Sequence, residues 1–102
     1  MSDLQWSPKD PSEIDSRGID FVAVLYSGET LTGVTTTVTT VYGVDANPSA
    51  IKSGVPTVSG TIAQQLLTGG VDGAAYRIKF AVTTSLGRTL IECATVHVDN
   101  CH

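Results

Sequence analysis

The chain is short of aromatics, of basic residues, of cysteine and of long apolar runs. Only 6% of its 102 residues are aromatic, so its core must be built mainly from aliphatic side chains. Six Lys and Arg stand against ten Asp and Glu, for a formal net charge of −4. That balance gives no basic excess with which to bind nucleic-acid phosphates. No apolar stretch approaches the roughly 20 residues that a membrane span requires. Two cysteines cannot supply a disulfide framework. Charged residues make up 16% of the chain, too few for a disordered tail. The length fits one domain.

What is abundant is threonine (14) and valine (12), both stiff at χ1 and strand-favouring. From Ile19 onward the hydrophobic period is two. Ile19, Phe21, Ala23 and Leu25 share one face of an expected strand, and Ser27-Gly28-Glu29-Thr30 reads as a turn. Leu31 to Tyr42 is a Thr/Val run interrupted by Gly33. Residues 43–54 read as a longer loop with room for a short strand near Ile51. Thr57 to Leu67 is the next strand, although Gln64-Gln65-Leu66-Leu67 alone also suits a helix. Three glycines in Gly69-Gly70-Val71-Asp72-Gly73 mark a loop. Ala75 to Thr83 alternates strictly, with Tyr76, Ile78, Phe80 and Val82 on the buried face. Ser85-Leu86-Gly87-Arg88 is a hairpin turn, followed by Thr89 to Val98 with Leu90, Ala94, Val96 and Val98 on one face. About six or seven short strands at these spacings predict an all-β sandwich.

Residues 1–18 differ from the remainder, and the chain divides into an N-terminal arm (1–18) and a sandwich (19–102). Met1 to Asp10 has neither a basic n-region nor an apolar h-region, so synthesis and retention in the cytoplasm, with reduced thiols, is the expectation. Asp10-Pro11-Ser12-Glu13 combines an N-cap, a Pro at the first position and an acid at the third. It predicts one helical turn at most, because no apolar periodicity follows. Trp6 lies upstream in an extended, Pro-flanked arm. It either folds back on its own domain or anchors the arm on a neighbouring subunit, since Trp is enriched at interface anchors.

Catalytic parts are few. Cys93 and His97 lie four apart on one expected strand, on the same face, with Cys101 and His102 beyond. Two Cys and two His form a familiar zinc set. The absence of a CxxC knuckle and the over 20 Å of extended chain between Cys93 and Cys101 argue against it. A Cys93–Cys101 disulfide requires the tail to double back. A Cys–His nucleophile needs a pocket and an orienting third group. The acids are scattered singly, with no spacing that suggests paired acid/base work. The glycine loop is followed by neither a helix nor Lys-Ser/Thr and so lacks a phosphate-cradling context. No cofactor or metal is expected.

Four segments carry a resemblance. Trp6-Ser7-Pro8-Lys9-Asp10-Pro11-Ser12-Glu13 resembles the W-x-P-K-D-P-x-E opening of a family of small tailed-bacteriophage virion proteins. Ile19-Asp20-Phe21 with Leu25-Tyr26-Ser27-Gly28-Glu29-Thr30-Leu31 is similar to that family's aromatic strand and its L-x-x-G-[DE]-T-[IL] segment. Gly69 to Ile78 is similar to its G-G-x-x-G-x-x-Y-x-[VI] segment, and Val82 to Thr89 to its T-[TS]-x-G-R-T hairpin. The likeness runs from Trp6 to Val98 and is loosest over Val34 to Ala63.

Such proteins are fibre–tail adaptors or head–tail and decoration proteins. The resemblance implies an immunoglobulin-like β-sandwich that is a structural virion part and not an enzyme. Its partners would be other virion proteins (tail, neck, fibre or capsid subunits), met in many copies of a symmetric assembly, with no nucleic acid and no membrane. The chain would be made in the host cytoplasm and end in the virion. Leu4, Trp6, Pro8, Lys9, Asp10, Pro11 and Glu13 are the expected partner-binding residues. Two alternatives are a cement protein on the head surface and a carbohydrate-binding adhesion module, the latter needing Tyr26 or Tyr42 as a stacking platform.

Overall fold

The structure, a computed structural model, describes residues 4–100. Seven strands run in the order β1 (Leu4–Gln5), β2 (Ile14–Asp20), β3 (Leu31–Tyr42), β4 (Lys52–Ser59), β5 (Ile62–Thr68), β6 (Ala75–Thr84) and β7 (Thr89–His97). They form two packed sheets, a four-stranded one of order β1-β7-β6-β3 and a three-stranded one of order β2-β5-β4. All pairings are antiparallel except β1 with β7, which is parallel, Leu4 opposite Ala94 and Gln5 opposite Thr95. The all-β sandwich expected from the Thr/Val composition is the observed architecture.

Strict alternation fixes the register of the central pair. Tyr76, Ile78, Phe80 and Val82 of β6 are fully buried, as are Ala94 and Val96 of β7. A shift of one residue would turn this whole set to water. Opposite them sit Ile19, Ala63 and Leu67 of the smaller sheet. Phe21 and Ile51, both fully buried, lie outside the strands and complete the core. Burial of each such large apolar side chain stabilises the fold by about 1.5–3 kcal/mol.

One polar group crosses the core. Gln65 of β5 accepts a hydrogen bond from Thr36 of β3 at 2.6 Å. Its amide nitrogen donates to the carbonyls of Ser53, Gly54 and Leu66. The register shift between Ser53 and Thr57 in the β4–β5 pair lies beside two of those acceptors. Gln64 to Leu67, which read as helix-compatible, are therefore strand, with Gln65 facing inward.

Three further differences from the sequence expectation have local causes. The strand expected from Ile19 to Leu25 begins at Ile14, inside the segment read as an arm, and ends at Asp20. The Asp20 carboxylate accepts the Val22 N–H at 3.0 Å and turns the chain into a short 3-10 segment, Val22–Val24. The single strand expected from Thr57 to Leu67 is a hairpin whose turn holds Gly60 at φ 62°. The loop before it carries a 3-10 turn, Pro48–Ile51, and the strand expected near Ile51 starts at Lys52 as the first arm of that hairpin.

Candidate functional site

The arm lies along the edge of the four-stranded sheet of its own domain. Beyond the Leu4–Gln5 pairing, Trp6 N–H donates to the Thr95 carbonyl and Lys9 N–H to the His97 carbonyl, each at 2.9 Å. Asp99 N–H donates back to the Lys9 carbonyl at 2.9 Å. The Trp6 ring, half-buried, meets Phe80 edge-on at 6.0 Å between centroids. Arg17 closes over it with its guanidinium carbon 5.9 Å from the ring centre. The same guanidinium donates to the carbonyls of Ser7 and Pro8 and pairs with Asp15 at 2.7 Å. Arg17 thus ties β2, in one sheet, to an arm that pairs with the other.

Lys9 is fully buried. Its ammonium donates to the Gly69 carbonyl at 2.7 Å and the Asp10 carbonyl at 3.0 Å. Burial pushes its pKa below the ordinary lysine value, against the pull of Glu13 and Asp10. Asp10 to Glu13 then make the reciprocal bonds of a capping box. Ser12 N–H donates to the Asp10 carboxylate at 2.8 Å, and Asp10 N–H to the Glu13 carboxylate at 2.7 Å. No helix follows, and the chain passes from this turn into β2. Of the expected partner-binding residues, Trp6 and Lys9 are spent on their own domain. Pro8 and Glu13 are exposed, and Asp10 and Pro11 half-exposed. Leu4 supplies a backbone pairing.

The arm ends where the glycine loop joins β5 to β6. Gly70 sits at φ 101°, and a Cβ there would lie 2.8 Å from Val98, so no other residue fits without displacement. The Tyr76 hydroxyl accepts from Val71 N–H at 2.8 Å and donates to Asp45 at 2.7 Å. Asp72 accepts the Asn100 N–H at 2.9 Å. Around this frame Val44 is 86% exposed, Tyr42 70% and Val71 42%.

The other end is closed by an ion pair. Glu29, almost fully buried, takes two hydrogen bonds from the Arg88 guanidinium, one from the Thr84 hydroxyl and one from Tyr26 N–H. The Arg88 hydrogen bonds, chief among these, hold its carboxyl at about 2. Arg88 also donates to the Val24 carbonyl and lies over the Tyr26 ring at 4.0 Å. Both residues fall within segments singled out for resemblance, 59 residues apart. Only the fold shows that they meet.

Cys93 and His97 share the outer face of β7, with buried Thr95 between them. Cys101 and His102 lie outside the described residues. Among the described residues no three His, Cys, Asp or Glu side chains are grouped to hold a metal ion. Tyr26 and Tyr42 are both exposed, but Tyr26 precedes the twelve-residue β3 and Tyr42 is its last residue. They do not form one stacking platform.

A family model described as podophage GP4 fiber-tail adaptor protein gp77 matches residues 9–97. The match covers most of the chain, including the Lys9–Glu13 turn, the glycine loop and the Glu29–Arg88 pair. No curated protein matches the chain. The chain belongs to this family. It is a structural adaptor of a phage virion, joining fibres at the tail.

Proposed function

We propose that this adaptor works as a rigid spacer with separate contacts toward the fibre and toward the tail, in many copies around the tail axis, without catalysis and without contact to nucleic acid. The observation that carries the reading is the family match over residues 9–97. It favours the adaptor role over head decoration or glycan binding. The arm supports it in a specific way. Trp6, Lys9 and Arg17 fix the strap, and Pro8, Pro11 and Glu13 present its outer side to a neighbour. Multiple copies multiply a modest contact into a firm attachment. Synthesis in the host precedes incorporation into the particle.

The domain itself is proposed to be immunoglobulin-like. In that fold the second, fifth and fourth strands share one sheet and the third, sixth and seventh the other. The observed orders match, with the first strand moved to the edge beside β7. Tyr76, at the start of β6, accepts from Val71 N–H five residues upstream, as a tyrosine corner does.

The test is a phage lacking this chain. Its particles should carry tails but no fibres, and purified adaptor should restore them. Fibre-bearing particles without the adaptor would refute the reading. A Pro8→Ala/Glu13→Gln variant should lower occupancy on particles without lowering Tm. Full occupancy would remove the arm from the interface.

A further inference from the structure

We infer that the end of the sandwich carrying Tyr42, Val44 and Val71 docks on a basic protein surface, an apolar site ringed by lysine or arginine. This rests on the adaptor reading and names the chemistry of one of its two partners.

The patch is apolar, exposed and held in place. Tyr42 pairs with Ala75 in the β3–β6 ladder. At Gly43 a Cβ would come within 3.0 Å of Ala74, so the backbones there are in close approach. Asp45 and Val71 are both hydrogen-bonded to the Tyr76 hydroxyl. Three large apolar side chains on so constrained a frame form a pre-organised surface and not a frayed loop. Contiguous exposed apolar groups rimmed by polar residues mark protein contacts.

The rim is mostly acidic. Asp45, Asp72 and Asp99 surround the patch, and Asp10 and Glu13 follow from the Lys9 turn that is bonded to both Asp99 and Gly69. The Lys9 ammonium is buried among carbonyls, and Arg77 stands exposed on β6, opposite Thr39. Asp72 and Asp99 are exposed. At the opposite end the buried Glu29 carboxylate is matched by Arg88.

This asymmetry selects the occupant. A nucleic acid or an anionic membrane would meet like charge. So would a second copy docked by the same patch, because an isologous contact places each Asp near its equivalents. A protein surface with Lys or Arg around an apolar floor satisfies both features.

Two probes separate the steps of assembly, fibre-free particles from a phage lacking this chain and isolated fibres. Binding of the full chain to each is measured by co-sedimentation and titration from 50 to 500 mM NaCl. For one of the two probes, affinity should fall by roughly tenfold across that range, as expected for a charge-complementary contact. For the same probe Asp72→Asn/Asp99→Asn should weaken binding several-fold at low salt and flatten the salt dependence. Val44→Ser should weaken it at every salt concentration. Tyr26→Ser/Leu86→Ser, at the other end, should leave that step unchanged. Thermal melts confirm that each variant is folded. If the wild-type chain binds and neither probe responds to salt or to the Asp substitutions, the basic partner is wrong and the adaptor reading stands. If the wild-type chain binds neither probe, both fall.

Discussion

The two ends of this sandwich are closed by different chemistry. The body measures 41 × 25 × 23 Å, and β3, twelve residues long, spans about 40 Å at strand rise. At its start, Glu29 and Arg88 meet as a hydrogen-bonded ion pair. At its finish, a lysine ammonium and a tyrosine hydroxyl are satisfied by backbone groups and one aspartate. The first end cancels its charge internally. The second buries the Lys9 ammonium and leaves Asp72 and Asp99 exposed. Stability at one end rests on a mutual pair, and at the other on groups that each serve a loop. Single substitutions should therefore be felt unequally.

The largest effect is expected from Arg88→Met, which leaves Glu29 buried without its partner. Chemical denaturation should show a greater loss for it than for any other single change named here. The double variant Glu29→Gln/Arg88→Met should recover most of that loss, because replacing both members removes the uncompensated charge. Equal losses in the single and double variants would mean that the pair is incidental. Next comes Trp6→Ala, which removes the half-buried ring between Phe80 and Arg17. A loss of about 2 kcal/mol is expected, below the roughly 3–5 kcal/mol for fully buried large aromatics because the ring is only half-buried, and protection of the β7 edge amides against hydrogen exchange should fall with it. Tyr76→Phe leaves Val71 N–H and Asp45 short of a partner and should cost about 1–2 kcal/mol. An unchanged stability would show that water replaces the hydroxyl freely.

The smallest effect is a pH dependence confined to the ion-pair end. The Glu29 carboxyl is lowered from 4.5 to about 2 in the folded state. Its contribution is complete above the unfolded value and is lost as pH falls through about 2. Melting temperature should therefore drop between about pH 4.5 and 2, and part of that slope should vanish in Glu29→Gln/Arg88→Met. A slope identical in both proteins would place the acid sensitivity elsewhere, for example at the carboxylates of the opposite end.

The sequence carried the inner pair of strands plainly. Tyr76 to Val82 alternate strictly and Leu90 to Val98 alternate but for Ile91 and Glu92, and alternation is what a half-buried strand leaves in a sequence. β2 left no such mark, because two of its half-buried positions are Asp15 and Arg17, which pair with each other. The β4–β5 hairpin was hidden because Gly60 is an isolated turn glycine within a continuous Thr/Val-rich run. The turn chemistry of Asp10 to Glu13 was legible as a capping signal. The burial of Lys9, expected among the partner-binding residues, is not legible from residue type. Only the approach of the glycine loop, 60 residues away, supplies the carbonyl that makes its burial possible. The Glu29–Arg88 pair was present in two motifs, but pairing over 59 residues is a property of the folded sheets and not of either motif.

The proposed spacer meets two different partners with two different ends, and an electron cryo-microscopy map of the fibre–tail junction tests this most directly. The predicted result is density for this sandwich between fibre and tail, with the Tyr42, Val44 and Val71 end seated against a lysine- or arginine-lined surface. A sandwich bound to the head, or one at the junction with that end facing solvent, would contradict it.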